Sequence, residues 1–465
     1  MLLTEEVRNR LGEIAGANNV LSGDAIGVRY RTDITGRYSS APALLIRPSS
    51  TDEVSEILKV ASANDLPVTV IGGQTGTVGG AVPSDGGIAL SLERMNRIEE
   101  IDIAAMTMTV EAGCILQLAQ EAVEQQGAFL PLDLGSRGSA MIGGVIGSNA
   151  GGNRVLRWGM VRDMVIGLEV VLADGTIVSS LTKMLKDNAG YNWKHLLIGS
   201  EGTLGIVTRA VLRLRPLPTT NQTALVATDS FDNVVRLLRR LEVGLSGRLS
   251  SFELMWDDFY VPMTEGQLVN RPRPMKTGHA FYILLEALGG DAESDPAQFE
   301  RLLTEGIETG VIEDAVIAQS ERERQALWAV REDLRPGYET MRPFISYDVS
   351  MSLADMPRFV ERIRKVVSTA FPAARMMFYG HAGDGNLHIS IHAGDGDDPH
   401  TFEVDTIVFD EVHAVGGSIA AEHGLGMSRK PFLAKTRSDA EIMLMRRLKD
   451  ALDPKQILNP GKILG

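Results

Sequence analysis

Pro131-Leu-Asp-Leu-Gly-Ser-Arg-Gly-Ser139 and Ile142-Gly-Gly-Val-Ile-Gly-Ser-Asn-Ala-Gly-Gly152 together hold seven glycines among the 18 residues from Gly135 to Gly152. Ser136, Ser139, Ser148 and Asn149 supply most of the remaining polarity. A stretch this poor in side chains builds no core of its own. It suits backbone laid against a large flat ligand, with hydroxyls and amides reading the ligand's edges. The interleaved Ile142, Val145 and Ile146 argue for a packed segment over a flexible linker. Upstream, Ile71-Gly-Gly-Gln-Thr-Gly-Thr-Val-Gly-Gly80 follows the apolar run Val68-Thr-Val-Ile71 and places five glycines in nine residues. Backbone free to take positive φ can turn successive N–H groups onto an anion, with Thr75 and Thr77 as hydroxyl donors. A tight connection explains two glycines, not five. Gly199-Ser-Glu-Gly-Thr-Leu-Gly-Ile206 repeats the style. The dinucleotide fingerprint G-x-G-x-x-G and the P-loop are both absent, so a phosphate here is not held in a Rossmann turn.

Around these stretches, Ser50 or Thr51 caps a helix with Asp52 and Glu53 in its first turn and Val54, Ile57, Leu58 and Ala61 at helical spacing. With the strands on either side it forms a β–α–β unit. Strands and glycine turns alternate to Leu214-Arg-Pro-Leu-Pro218, which reads as a domain border. Strand–helix alternation follows to about 415, and a last helix runs from Ser438 to Leu452. At 465 residues the chain is long enough for two or three domains. A net charge of −14 disfavours nucleic acid and anionic lipid. The single cysteine, Cys114, excludes a disulfide framework and Cys-based metal clusters. No run of 18 apolar residues exists, and Met1 to Val7 lacks a basic-then-apolar signal, so a cytoplasmic location is expected.

Five of the eight histidines fall between His381 and His413, and a sixth is His423. Phe378-Tyr-Gly-His-Ala-Gly-Asp-Gly-Asn-Leu-His-Ile-Ser-Ile391 reads as strand, turn, strand, with Asp384-Gly385 in the turn. Period-2 alternation sends His388, Ser390 and His392 to one face. The turn can bring His381 and His388 together, and two imidazoles need a third, anionic ligand for an open divalent-metal site. Glu422-His-Gly-Leu-Gly426 offers one: Gly424 and Gly426 permit a kink aiming Glu422 and His423 the same way, leaving His423 as a base. His279, His400 and His413 lack such contexts, and His392 sits near its strand's end.

Taken with Trp158-Gly159, the three glycine stretches resemble the FAD-binding domain of the vanillyl-alcohol-oxidase (PCMH-type) flavoproteins. Lys186-Asp-Asn-Ala-Gly-Tyr191, followed by Leu197 to Ile206, resembles most the 2-hydroxyglutarate group of the FAD-linked D-2-hydroxyacid dehydrogenases, a branch that includes D-lactate and glycolate dehydrogenases. The resemblance implies an α+β fold. A two-part FAD-binding domain spans 1–218 (core from about 38), a second α+β substrate or cap domain spans 219–415, and 416–465 packs back on the FAD domain. The active site lies where the domains meet. By the same resemblance Gly72, Gly73, Gln74, Thr75, Gly76 and Thr77 hold the pyrophosphate. Leu132, Asp133, Ser139, Gly143, Ser148, Asn149 and Gly152 contact the flavin, and Glu201 and Ile206 lie near the adenosine half. Asn459, in the closing Ile457-Leu-Asn-Pro-Gly-Lys-Ile463, approaches flavin or substrate. Gln74 stands where some relatives tether FAD through His, so non-covalent FAD is expected.

The resemblance also implies His381, His388 and Glu422 as ligands of one divalent metal (Zn first, then Mn, Fe or Co), with His423 as base. Arg331 in Leu327-Trp-Ala-Val-Arg331 becomes the clamp for the substrate carboxylate. The glutarate-specific group leads one to expect Thr, Lys and Asn at the positions held here by Arg335, Ser346 and Ser390. These three are the candidates for the distal end of the substrate, whose length stays open. The expected reaction is oxidation of a small D-2-hydroxy acid to the 2-oxo acid, with hydride passing to flavin N5 and reoxidation by an electron-transfer flavoprotein or quinone; a homodimer is expected. A D-lactate or glycolate dehydrogenase is the near alternative. A non-catalytic flavin-binding subunit of an oxidase complex is the distant one, against which the intact His381, His388, Glu422 and His423 argue.

Overall fold

A computed structural model describes residues 3–266, 268–394 and 401–464. Two compact units emerge. One comprises the chain through Gly152, Gly159–Leu217 and everything from Glu422; the other comprises Asn153–Trp158 and Pro218–Ala421.

The first unit holds two principal sheets. In the smaller, strands Leu44–Ile46, Ile88–Ser91 and Val68–Ile71 lie side by side and parallel, in that order. Helix Thr51–Ala63 makes the crossover, and Ser50 is its N-cap, its hydroxyl accepting the Glu53 N–H. The helix turns Val54, Ile57, Leu58 and Ala61 into the core at the 3.6 period that marked them. The C-terminal segment extends this sheet. Val68 N–H donates to Ile457 O and Asn459 N–H to Val68 O, both at 2.8 Å. The second sheet is antiparallel, in the order Ile98–Asp102, Thr107–Glu111, Ile206–Arg213, Val165–Val171, Ile177–Ser180. The glycine-rich stretch is a helix, Ile142–Ser148, with Ile142, Val145 and Ile146 buried. Asn149 caps it at φ 51°.

The second unit is built on a seven-stranded antiparallel sheet. Its order is Asp314–Ile317, Thr220–Thr228, Phe281–Gly289, Leu249–Trp256, Arg375–Gly380, Asn386–His392, Ile345–Ser350. Leu225, Ala227, Met255, Tyr282, Leu284, Met377 and Tyr379 from the strands form one cluster with Phe259, Tyr260 and Met263 of helix Asp257–Thr264 and Leu327 and Val330 of helix Glu321–Glu332. The short piece Asn153–Trp158 is fastened here by polar contacts. Ser251 Oγ donates to Asn153 O at 2.6 Å, and the Arg154 Nε ion-pairs with buried Glu286 at 3.1 Å. Residues 418–421 form an irregular segment with an isolated bridge, Ser418 to Ser350.

Gly152 and Gly144 show two opposite uses of the missing side chain. Gly152 has φ +92°, and a Cβ there would lie 1.9 Å from Asp133 O. At Gly144 a Cβ would meet nothing within 4 Å. Gly152→Ala is therefore expected to destabilise the protein by about 2–4 kcal/mol. Gly144→Ala, inside a helix, leaves stability unchanged or raises it by up to about 1 kcal/mol. Thermal unfolding of the two variants beside wild type, all stripped of bound cofactor, checks both; equal midpoints contradict the distinction.

Candidate metal and flavin site

Strand Asn386–His392 lies between Arg375–Gly380 and Ile345–Ser350, with His388 opposite Tyr379 on one side and Asp348 on the other. Directly opposed residues share a face, so His388, Ser390, Tyr379 and Asp348 all point the same way. His381 follows the end of Arg375–Gly380, and a short 3-10 turn, Ala382–Asp384, closed by Gly385 at φ 82°, returns the chain. The two imidazoles meet edge to face with ring centres 5.2 Å apart. The segment after the 401–414 helix is held to the sheet edge by Ser350 and Ser418 exchanging N–H bonds and by Ala421 N–H on Asp348 O. Glu422 is the next residue. Ligand atoms of His381, His388 and Glu422 lie within 4.8 Å of one another. Two imidazoles and a carboxylate are the donors of a three-ligand divalent site, so these residues fit the implied ion.

Each of these three side chains has a polar neighbour behind it. His381 Nδ1 is 2.7 Å from Glu253 Oε1, and His388 Nδ1 is 3.7 Å from Asp348 Oδ1, an oxygen that also accepts from Asn386 Nδ2 at 2.7 Å. Glu422 Oε1 accepts the Gly152 N–H at 2.5 Å. His423 is exposed beside it, at the start of a turn in which Gly424 has φ 80° and Gly426 φ 52°. Glu201 shapes that turn, its carboxylate accepting the N–H groups of Leu425 at 2.7 Å and Gly426 at 2.9 Å. Burial raises the Glu201 carboxyl above its ordinary pKa, and those two N–H bonds oppose the shift.

Arg331 is 6% exposed. Its Nε sits 3.0 Å from Glu253 Oε2 and its guanidinium lies over the Tyr379 ring, 4.6 Å from the centre. The Nε and Glu253 Oε2 make no directed hydrogen bond, so their contact is an ion pair, and the planar guanidinium is a two-pronged donor suited to an anion. Burial holds the Tyr379 phenol well above its ordinary pKa, and its oxygen is 2.6 Å from Tyr338's. Ser390 is wholly buried, its hydroxyl without a hydrogen-bond partner among the described residues. Ser346, directly across from it, is exposed, as is Arg335 at the start of helix Arg335–Met341. His392 is spent on Pro343 O at 2.8 Å and His279 on Asp229 at 3.3 Å; His413 lies in the last turn of helix Thr401–Ala414, and His400 lies outside the described residues.

In the first unit the glycine stretches come together through backbone. A Cβ on Gly73 would lie 2.0 Å from Ser139 O, and one on Gly72 3.6 Å from Gly144 Cα. A Cβ on Gly143 would lie 2.8 Å from the Ala112 Cβ. Glu201 N–H donates to Gly147 O at 2.8 Å. Gly73, Gly143 and Gly152 thus serve close packing. At Gly76, Gly135 and Gly144 a Cβ would enter open space, so a bare-backbone surface is presented that fits a large planar group. Thr75 and Thr77 are half-buried on the first loop and Ser139 is exposed. Leu132 and Asp133 are buried; Leu132 O accepts from Gln120 Nε2 at 2.5 Å and Asp133 pairs with Arg137 at 2.9 Å. Several candidate side chains are engaged within the protein. Gln74 Nε2 donates to Arg29 O at 3.0 Å, Ser148 Oγ to Gly144 O at 3.1 Å, and Asn149 Oδ1 accepts from Arg162 N–H at 3.2 Å. Ile206 is buried at the start of its strand. Asn459 Oδ1 accepts from Val70 N–H at 2.9 Å while its Nδ2 donates to Glu201 O at 2.7 Å.

Glu253, Asp348 and Tyr379 escape the sequence reading. The signal was an acid inside an otherwise apolar strand, Phe252-Glu-Leu-Met-Trp256, since a charge is retained there only with partners.

Residues 42–180 match the FAD binding domain model, and residues 217–463 match FAD linked oxidases, C-terminal domain. The chain is 39% identical to a probable mitochondrial D-2-hydroxyglutarate dehydrogenase of Oryza sativa subsp. indica over 93% of this chain and 77% of that one. It is 36% identical to a D-2-hydroxyglutarate dehydrogenase of Xanthomonas citri pv. viticola over 93% and 92%. A putative mitochondrial D-lactate dehydrogenase of Schizosaccharomyces pombe is 34% identical over 93% and 84%. Among solved structures, p-cresol methylhydroxylase superposes with TM-score 0.79 at 15% identity, covering 98% of this chain and 96% of that one. Alkyldihydroxyacetonephosphate synthase does so with 0.77 at 18%, covering 98% and 86%; these two likenesses concern the fold. Among the described residues no helix is long and apolar enough to cross a membrane. The chain therefore carries an FAD binding domain and belongs to the FAD-linked D-2-hydroxyacid dehydrogenases.

Proposed function

We propose that this dehydrogenase oxidises a small D-2-hydroxy acid, most like D-2-hydroxyglutarate, using non-covalent FAD and one divalent ion, Zn first, on His381, His388 and Glu422. The observation that carries the reading is the convergence of those three ligands within 4.8 Å. A buried guanidinium supports it: the Arg331 Nε is tied to Glu253, which bears on His381. A bound flavin supplies the two-electron acceptor and a bound ion the Lewis acid, chemistry that side chains lack. Arg331 binds the substrate carboxylate through its terminal nitrogens, while the ion pair with Glu253 and the Tyr379 face fix its plane. His423 takes the hydroxyl proton on a ring nitrogen as C2 loses its hydride. Glu201 keeps the turn behind His423 in shape.

The exposed Arg335 and Ser346 and the buried Ser390 favour a second reading in which a shorter acid, lactate or glycolate, is preferred. The electron acceptor is an electron-transfer flavoprotein or a quinone, and the enzyme is a cytoplasmic homodimer.

Purified protein is expected to be yellow and to bleach with D-2-hydroxy acids under anaerobic conditions, with the rate ranked by chain length. Chelation to below one ion per chain should abolish bleaching and re-addition restore it; undiminished bleaching after chelation would falsify the metal role. His423→Asn should slow flavin reduction by about 10²–10⁴-fold at unchanged flavin content; a normal rate removes His423 as base. Gly144→Ala, neutral for folding, should lower the fraction of chains carrying flavin, read from the ratio of flavin to protein absorbance. A wild-type ratio would place the cofactor elsewhere.

A further inference from the structure

Glu253 has no access to solvent and sits among apolar neighbours in strand Leu249–Trp256. An isolated carboxylate in that position is strongly disfavoured, so its partners must compensate it. It has two. Oε1 faces His381 Nδ1 at 2.7 Å, and Oε2 faces Arg331 Nε at 3.0 Å. We infer that Glu253 is a positioning residue shared by two binding events, setting both the affinity for the metal through His381 and the recognition of the substrate carboxylate through Arg331. The inference rests on the reading that His381 ligates an ion and Arg331 binds the acid.

An acceptor on Nδ1 keeps the proton on that nitrogen, which leaves Nε2 with the lone pair a metal requires and raises its basicity. The second oxygen simultaneously balances a guanidinium that would otherwise be a buried unpaired cation. The Tyr379 ring beneath Arg331 and beside His388, with centres 5.0 Å apart, packs the same assembly from a third side. His388 has a weaker counterpart in Asp348 at 3.7 Å, so the two ligands are not supported equally. A neutral amide at 253 offers one oxygen and turns an NH2 toward whichever partner it does not serve. One change therefore weakens two ligands at separate steps.

The test is competition for Zn²⁺ between a chromophoric chelator and metal-free, flavin-loaded protein, alongside steady-state kinetics at saturating metal. Glu253→Gln is expected to bind Zn²⁺ about 10–100-fold more weakly. At saturating Zn²⁺ it should also raise KM for the hydroxy acid by more than it lowers kcat. Arg331→Met should raise KM while leaving Zn²⁺ affinity within a few-fold of wild type. If Glu253→Gln does not fold, the double variant with Arg331→Met removes both buried charges and should still show the weakened Zn²⁺ binding. Wild-type Zn²⁺ affinity in either Glu253 variant overturns the inference while leaving the proposed function standing. If wild type itself binds no Zn²⁺, or His381→Ala binds it unchanged, the metal reading fails and the inference falls with it.

Discussion

The register of strand Asn386–His392 against its two neighbours is the constraint on which the proposed metal site depends. With Tyr379 and Asp348 opposite His388, the polar residues of three strands share one face. A slip of one residue would turn His388 and Ser390 away and bring Leu387 and Ile389 in their place. The slip is prevented from the other side: Leu387, Ile389 and Ile391 are completely buried, and each is worth about 1.5–3 kcal/mol of transfer free energy. The hydrophobic layer, which takes no part in the chemistry, thus fixes where the imidazoles point. Asp348 then holds Asn386 as well as lying beside His388, which ties the register to a polar contact inside the sheet.

Charge arrangement follows from the same sheet. The protein carries a net charge of −14, which at long range repels a carboxylic acid. Beyond a Debye length of about 8 Å that repulsion is screened, and inside the site the local groups decide. Arg331 and Arg154 are both paired with buried acids, Glu253 and Glu286. Such pairs are poor sources of net stability. They nevertheless hold a cation at a fixed place and angle without asking the fold to bury an uncompensated charge.

The elements most legible in the sequence are those set by near neighbours. Helix Thr51–Ala63 was readable from its cap and its apolar spacing, and the hairpin bearing His381 and His388 from alternation around a glycine turn. Glu253 was not, because its partner His381 lies 128 residues away and strand pairing over that distance leaves no local pattern. Arg331 stands in a helix rich in charge, Glu321–Glu332. Yet it follows Leu327 by four residues and Val330 by one, and all three are buried together, so position on the apolar stripe was the available sign. The glycines were legible as a group but not individually: only coordinates separate Gly73 and Gly152, pressed against neighbouring carbonyls, from Gly144, which faces open space.

The turn behind His423 shows how a buried acid can shape a reactive segment without touching it. Two residues in this turn, Gly424 and Gly426, have positive φ, a conformation stable only where something outside the turn absorbs its unpaired N–H groups. The Glu201 carboxylate does so for Leu425 and Gly426, and a Cβ on Gly424 would lie 2.6 Å from one of its oxygens. Burial raises the pKa of this acid, and the two N–H bonds, at 2.7 and 2.9 Å, oppose that shift. Lys462, whose own pKa is pushed down to about 8 by burial and by Lys430, is drawn back up by Glu201, so each offsets part of the other's desolvation. Asn459 completes the linkage: its side chain bonds Glu201 O and Val70 N–H, joining the turn's support to the strand that launches the first glycine loop. The strand that launches the first glycine loop and the backbone carrying His423 are therefore joined by one continuous set of hydrogen bonds.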